Sequence, residues 1–554
     1  MDLKFVSLGG LGEIGKNMMA FEIRGRILLV DAGVKFPDEK TPGVDLIIPD
    51  FTYLIEQREK IVGLVLTHGH EDHVGAVPYL LQKLPMPVYG TDLTLGLAEG
   101  RTKELGVSFD KHIVRPGDEI QLDPFSVEFL QVTHSVPASV SLAIKTPLGI
   151  IVHSGDFKID QNPVDQRKMD FPRISALAKQ GVLCLFCDST NAERPGYAPS
   201  ELAVKGPLEE IFRAARNRII VTTFASNVHR IQQIIATASL FGRKVLVDGM
   251  SLNNVVTVAV ELGYLQIPYD ILVQSDELSR LQRNQVVIIT TGSQGEPLSA
   301  LSRIASGEHK KVAIEPGDTV IFSADPIPGN ETLVAETIDK LFRKKAEVIY
   351  GPSTGVHVSG HGFREDIKMM INLIQPRYFI PIHGEYRHLV RCSRIAEGVG
   401  IHPDRIFLVE NGEVVNFTAG KAFVQGKVKS SASFVDGQSL DTLESSVLRD
   451  RRILCQEGFV NVSAVLQMQK RVIQANPTIH SRGFLPEKDL EQFAGELTLQ
   501  IVLLFHQCME QNMDRETCEQ KTKDAVLRFF SKRLKRRPLV IVSITDLDEK
   551  TATE

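Results

Sequence analysis

The 554-residue chain is 43% apolar and 24% charged with a formal net charge of -5, a composition that excludes a disordered or fibrous polymer and offers no global attraction for a polyanion. Any nucleic acid would have to be held by a local basic groove or by metal ions. No unbroken apolar run approaches the ~20 residues of a membrane span, the first residues "MDLKFVSLGGLGEIGKN" lack the basic start and apolar core of a signal peptide, and the six cysteines are scattered rather than framed for disulfides, so a cytoplasmic, multidomain protein without a membrane partner is expected.

Short apolar runs broken by Gly, Pro and Asp fill the first two hundred or so residues: "DLKFVSLGG", "RILLVDAG", "GLVLTHG", "SVEFLQVTHS", "GIIVHSGD" and "VLCLFCDS". They predict the strands of a layered sheet, several ending in Asp or His, where side chains from neighbouring strands can meet. Cys184 and Cys187 form a CxxC inside such a strand, where residues three apart face opposite ways, so the pair predicts neither a zinc nor a redox site. From about Pro207 helical and strand-like segments alternate, as in "PLEEIFRAARN", "RIIVTTFAS" and "HRIQQIIATASLFG". That rhythm predicts an α/β unit with a parallel sheet. The earlier style resumes at "AEVIYGPSTGVHVSGHG" and "YFIPIHGEYRHL", so residues 208–345 are read as a domain inserted into one spanning 1–207 and 346–427. A Ser-, Gly- and Lys-rich linker over 428–450 then leads to a third, α+β domain over 451–554. That domain has strands in "ILCQEGFVNVSAVLQ" and "PLVIVSITDL", a long helix from "EKDLEQF", and a basic helix "KDAVLRFFSKRLKRRP" read as a solvated face.

The chemistry concentrates in "VLTHGHEDHVGAVPYL", which sets His68, His70, Asp72 and His73 directly after an apolar strand. A strand ending there lets His68 and His70 lean one way and Asp72 and His73 another, which suits two cations ~3.5 to 4 Å apart. His134, Asp156 and His383 each stand at another strand end and complete the set, with Asp31 in support. Imidazole and carboxylate ligands of this kind fit zinc and also manganese.

"THGHEDH", His134, the "SGDF" of Asp156 and Asp31 resemble the metallo-β-lactamase fold, a four-layer αβ/βα sandwich. The resemblance implies one zinc on His68, His70 and His134, a second on Asp72, His73 and His383, and Asp156 bridging them, two Zn2+ per subunit with Mn2+ or Mg2+ as substitutes in vitro. The insertion followed by "SGHG" and "IHGE" is similar to the β-CASP subgroup, which acts on nucleic acid, with Asp188, His361 and His383 matching its extra motifs. "LGGLGEIGKN", "STNAERPGY", "TFASNVHRIQQII", "TGSQGEP", "PIPGNE" and "HGEYRHL" resemble bacterial ribonuclease J up to about Phe423, with echoes beyond.

That family resemblance implies an RNA-processing and RNA-decay enzyme, acting on mRNA and rRNA as endonuclease and 5'-to-3' exonuclease, with preference for a 5'-monophosphate and 5'-phosphate products. It also implies homodimers or homotetramers through the C-terminal domain, or association with a paralogue or a decay complex. The expected mechanism is attack on phosphorus by a hydroxide between the zincs, with Asp72 and Asp156 at the metals, His361 assisting the leaving oxygen, and Asp31 and Asp188 orienting imidazoles. For the terminal phosphate, "ASNVHR" offers Ser226, Asn227, His229 and Arg230 at a strand-to-helix junction, and "VHVSGHG" adds His357, Ser359, Gly360 and His361. Helix capping is the competing reading for Ser226 and Asn227. After "KVLV" the chain has Asp248 and Gly249 where the family usually has Gly-Arg, so one cation is missing. The rival readings are a DNA-directed β-CASP nuclease and a small-molecule metallo-hydrolase of the same fold.

Overall fold

The β-branched runs pair into two sheets that close face to face. A computed structural model describes residues 2–38, 41–296, 298–437, 442–443 and 445–548. Part of the expected linker, residues 438–441 and 444, and the last residues of the expected third domain, 549–554, lie outside the described residues. The chain separates into two units, one comprising residues through Phe36 with Leu46–Ser433, the other Pro37–Asp45 with the chain from Phe434 onward.

In the first unit an eight-stranded sheet runs in the order Ala422–Lys427, Glu413–Phe417, Leu3–Gly9, Met18–Ile23, Arg26–Val30, Ile61–Val65, Val88–Gly90, Lys111–Ile113. A six-stranded sheet runs Tyr378–Ile382, Val182–Asp188, Gly149–His153, Val140–Thr146, Phe125–Gln131, Glu119–Leu122. Their inner faces share one core, in which Phe186 of the second sheet meets Phe5 and Phe21 of the first at ring separations of 4.5 and 5.2 Å. The outer face of the six-stranded sheet is covered by helices Phe171–Gln180, Arg364–Ile374 and Tyr386–Gly398. Cys184 belongs to the inner core and Cys187 to the outer one, as the strand period requires.

Strand pairing fixes the site. Arg26–Val30 runs parallel to Ile61–Val65, and Gly149–His153, Val182–Asp188 and Tyr378–Ile382 are mutually parallel, with Asp188 opposite Ile382. The residues that follow these strands therefore collect at one rim: Asp31, Thr67 to His73, Ser154 to Asp156, and His383.

The inserted segment forms a wholly parallel five-stranded sheet, Lys244–Asp248, Val286–Thr290, Ile219–Thr222, Thr319–Phe322, Glu347–Ile349, with an apolar cluster on each face. Its last strand extends past the boundary expected at residue 345, because Glu347–Ile349 pairs with Thr319–Phe322 rather than with the flanking sheets.

In the second unit a three-stranded sheet, Val472–Arg482, Phe459–Gln467, Leu539–Asp546, packs one face on helices Glu487–Glu510 and Arg515–Leu534. The central strand alternates buried and half-buried side chains along its length, the signature of a one-sided sheet. The stretch before Gly458, read as strand, is helical over Ser445–Glu457 and so occupies the end of the expected linker. Among the described residues no helix is long and apolar enough to cross a membrane.

Candidate metal centre

The turn after Ile61–Val65 is held from beneath. Backbone N–H groups of Asn17, Ala32 and Val34 donate to the carbonyls of Asp72, His73 and Glu71 at 3.1, 2.8 and 3.0 Å. This approach needs glycine at position 33, where an added Cβ would lie 1.6 Å from the Asp72 carbonyl oxygen. Asp31 and His383 follow their strands with φ of 59° and 54°, a left-handed step that ends each strand at the rim and that non-glycine residues adopt only where surrounding contacts hold it.

These constraints bring six side chains around the carboxylate of a seventh residue, Asp156. Asp156 Oδ2 lies 3.2 Å from His73 Nε2, 3.4 Å from His68 Nε2, 3.6 Å from His383 Nε2 and 4.0 Å from His134 Nε2. His70 Nδ1 is 3.2 Å from His134 Nε2, and Asp72 Oδ2 is 3.1 Å from His383 Nε2 and 3.7 Å from His73 Nε2. The ligand-capable atoms fall into three overlapping groups, His68, His70, His134 and Asp156; Asp72, His73, His383 and Asp156; and Asp188, His361, His383 and Asp156, all sharing the one carboxylate.

Neighbours fix which imidazole nitrogen faces inward. Thr67 Oγ1 gives its proton to Asp31 Oδ2 at 2.8 Å and so accepts from His68 Nδ1 at 3.0 Å. Asp31 Oδ2 also accepts from His73 Nδ1 at 2.8 Å, and the Gly360 carbonyl accepts from His134 Nδ1 at 2.8 Å. Thr190 Oγ1 donates to Asp188 Oδ1 at 2.7 Å and accepts from His383 Nδ1 at 2.6 Å. Each of these rings therefore turns its Nε2 toward Asp156, the arrangement that orients imidazole ligands. His70 is reversed, with Nε2 on Ser135 Oγ at 3.2 Å and Nδ1 inward.

Electrostatics divide the cluster. Burial, reinforced by neighbouring imidazoles, pushes His68 and His134 well below the ordinary histidine value, and burial takes His70 down to about 4. Burial also opposes charge on His383 and His73, but Asp156 with Asp72 and a further carboxylate outweighs it, lifting His383 to about 9 and His73 well up. Burial disfavours the Asp156 and Asp72 carboxylates, yet the facing imidazoles hold both below the usual carboxylate range.

The residues fit a metal. Among the described residues, His68 Nε2 and Asp156 Oδ2 are buried side-chain atoms that make no hydrogen bond, and leaving such groups unsatisfied costs about 1 to 3 kcal/mol each, more where charged. A divalent cation between them would satisfy both.

Four family models match this chain: the metallo-beta-lactamase superfamily over residues 11–174, the ribonuclease J beta-CASP domain over 216–341, the Zn-dependent metallo-hydrolase RNA specificity domain over 348–404, and the ribonuclease J C-terminal domain over 446–547. Ribonuclease J2 of Bacillus subtilis (strain 168) is 40% identical over 549 residues, covering 99% of each chain. The chain belongs to the ribonuclease J family. Ribonuclease J of Thermus thermophilus is 40% identical over 97% of this chain and 94% of that one, and ribonuclease J of Synechocystis is 44% identical over 87% and 75%. A crystal structure of a protein of unknown function from Enterococcus faecalis V583 superposes with a TM-score of 0.53 at 16% identity, covering 75% of this chain and all of that one, a likeness of fold. The fold is thus a metallo-β-lactamase domain with an inserted β-CASP domain and a separate C-terminal domain, and its His/Asp cluster points to a metal-binding site.

Elsewhere in this ribonuclease J family member, the expected auxiliary residues divide. His361 joins the cluster: its Nδ1 donates to Asp188 Oδ2 at 2.8 Å and lies 3.9 Å from Asp156 Oδ2, and its ring stacks on His383. Burial opposes its charge, but Asp188 and Asp156 raise its pKa. Ser359 Oγ accepts from Asn191 Nδ2 and the His361 amide at 2.8 and 3.2 Å. Asn227 is the N-cap of helix Val228–Leu240, accepting from the Arg230 amide at 3.0 Å, and Ser226 precedes it half-buried. His229 is buried with its Nε2 4.0 Å from Asp165.

Arg230, expected at a terminal phosphate, is enclosed near the start of helix Val228–Leu240. Its side chain is 0% exposed, with Nε and Nη2 on the Glu201 carboxylate at 2.7 and 3.1 Å and Nη1 on Ser323 and the Val356 carbonyl. A guanidinium so enclosed presents no exposed donor to an incoming anion. His357 lies beside it, and burial with the Arg230 charge takes its ring down to about 3. Asn17, Gly33, Thr67, Thr190 and Ser135 were not read as site residues. All five nonetheless stand in quoted stretches: "LGGLGEIGKN", "RILLVDAG", "THGHEDH", "STNAERPGY" and "SVEFLQVTHS".

Proposed function

We propose that this chain is a metal-dependent ribonuclease that takes single-stranded RNA, cuts it internally, and degrades it from a 5'-monophosphate end to leave 5'-phosphate products, with two zinc ions per subunit. The observation that carries the reading is Asp156 Oδ2, buried without a hydrogen bond and shared by overlapping imidazole-carboxylate groups, two of which hold His68, His70 and His134 and Asp72, His73 and His383. His68, His70 and His134 would hold one cation, and Asp72, His73 and His383 the other. When bound, the pair supplies charge neutralisation at the phosphodiester and a water whose pKa falls toward about 7.

The chain's own residues do the rest. Asp188, held by the Thr190 hydroxyl and amide, fixes the His361 Nδ1 proton and leaves Nε2 toward the cleft. Asp188 and Asp156 favour the imidazolium, so His361 can give the Nε2 proton to the departing 3' oxygen and then be restored by solvent. For the terminal phosphate, Ser226, Ser359 and the backbone around Gly360 are the donors retained here, without Arg230. Assembly into homodimers or homotetramers is assigned to the C-terminal unit, whose long helix exposes Leu499 and Leu503.

The test uses end-labelled RNA bearing 5'-monophosphate, 5'-triphosphate or 5'-hydroxyl, with matched single-stranded DNA, in zinc or manganese. Mononucleotides from the monophosphate RNA are expected, with internal fragments from the other two. Equal cutting of DNA would overturn the RNA assignment, and turnover surviving in His70→Ala/Asp72→Ala would overturn the metal assignment.

A further inference from the structure

Lys158 is the largest unexplained cost near the centre. Its side chain is 1% exposed, two residues beyond Asp156, and a buried ammonium persists only where partners replace water. Its Nζ donates to the Ser359 carbonyl at 3.2 Å and the Pro199 carbonyl at 3.1 Å, with Asp160 Oδ2 at 3.9 Å.

The backbone of Lys158 is tied to the residue before His134. Its N–H donates to the Thr133 carbonyl at 2.9 Å, and Thr133 Oγ1 donates to the Lys158 carbonyl. The Ser359 carbonyl that Nζ grips directly precedes Gly360, whose own carbonyl accepts from His134 Nδ1 at 2.8 Å. These contacts close a ring: His134 to Thr133 along the chain, across to Lys158, through Nζ to Ser359, along the chain to Gly360, and back to His134. On the same segment the Phe157 carbonyl accepts from the Gly362 amide at 2.6 Å, so the loop carrying His361 is held at both ends by residues adjoining Asp156.

We infer that Lys158 is a positioning residue: by holding Ser359 it fixes the Gly360 carbonyl that orients His134 and sets the reach of His361 into the cleft. The inference rests on the proposed metal-dependent cleavage for its kinetic readout, but its spectroscopic readout does not. A hydrophobic side chain of the same length would preserve packing, yet it would leave the Ser359 and Pro199 carbonyls without this donor and free the loop. Partners of metal-bound imidazoles typically contribute 10- to 100-fold to affinity or rate.

The experiment compares Lys158→Met, Lys158→Gln and Lys158→Arg in the full chain. Cobalt is loaded as a visible probe, and the band of its absorption is read beside kcat and KM on 5'-monophosphate RNA. The Met variant is expected to lower kcat by about 10- to 100-fold with KM within about twofold, and to shift the cobalt band. The Arg variant, which keeps a cation and donors, should recover most of both. If the Met variant does not fold, the Gln variant, with one donor pair, carries the comparison. An unshifted cobalt band with unchanged kcat overturns the inference, as does a rise in KM alone, which would make Lys158 a substrate contact. If the unsubstituted protein cuts no RNA, the proposed function fails while the cobalt band still decides the role of Lys158.

Discussion

Gly360→Ala isolates the contact between the 356–362 loop and the cluster. Gly360 has ordinary backbone geometry, so alanine adds a methyl without backbone strain. That Cβ would lie 2.7 Å from His134 Cε1, 2.9 Å from Nδ1 and 3.0 Å from Ser135 Oγ, with the first contact about 0.7 Å inside the 3.4 Å where ordinary contact begins. His134 cannot turn aside freely, because its Nδ1 is bonded to the residue that pushes it and its Nε2 faces His70 at 3.2 Å. The ring or the loop must yield by a large part of an ångström. A misplacement of about 1 Å can cost on the order of 100-fold in rate, and loosened partners of ligands cost about 10- to 100-fold in metal affinity, about 1.4 to 2.8 kcal/mol. The assay is zinc competition against a chromophoric chelator, beside the melting temperature of the chelator-treated protein. Zinc affinity is expected to fall by that factor while the metal-free melting temperature moves by only a few degrees. Unchanged affinity would refute the placement of His134 as a ligand oriented by Gly360.

Other consequences follow from the same contacts. Asp31→Asn keeps the shape but weakens the acceptor of His73 Nδ1 and Thr67, and should lower zinc affinity about 10- to 100-fold in the same competition assay, with the fold retained by circular dichroism. Arg230→Met leaves Glu201 buried without its cation and should destabilise the protein by about 3 to 5 kcal/mol in denaturant titration, while RNA affinity per folded molecule stays unchanged; a selective loss of preference for 5'-monophosphate would restore Arg230 to the phosphate pocket. In the metal-free protein His383 is raised to about 9, so its pairing contributes full stability below the unfolded value of about 6.5 and loses it as pH rises through about 9. Chelator-treated protein should therefore melt progressively lower between those limits, relative to His383→Gln measured alongside, and zinc addition near pH 7.5 should release protons into a weakly buffered solution.

The residues of the His/Asp cluster are legible because strands announce their ends. An apolar run followed by Asp or His places that side chain at a sheet rim, and parallel pairing of Ile61–Val65 and Tyr378–Ile382 with their neighbours brought His68 to His73 and His383 to such a rim. The partners that orient the imidazoles were not legible in the same way. Thr190 meets His383 across 193 residues and Gly360 meets His134 across 226, and nothing local in Thr or Gly advertises an acceptor for a distant ring. Gly33 was hidden for a similar reason, since its requirement arises from the carbonyl of Asp72 rather than from its own turn.

Arg230 and Lys158 show where reading cations from sequence breaks down. Arg230 stands in a donor-rich strand-to-helix junction, and a sequence gives no means of knowing that Glu201 and Ser323 already use its donors. Lys158 follows "SGDF", where attention goes to Asp156, yet its Nζ reaches the loop that supplies Gly360 and His361. Both are more than nine-tenths buried, and in both the charge satisfies backbone carbonyls on other segments of the chain. Contact with a phosphate would require exposure that neither side chain has.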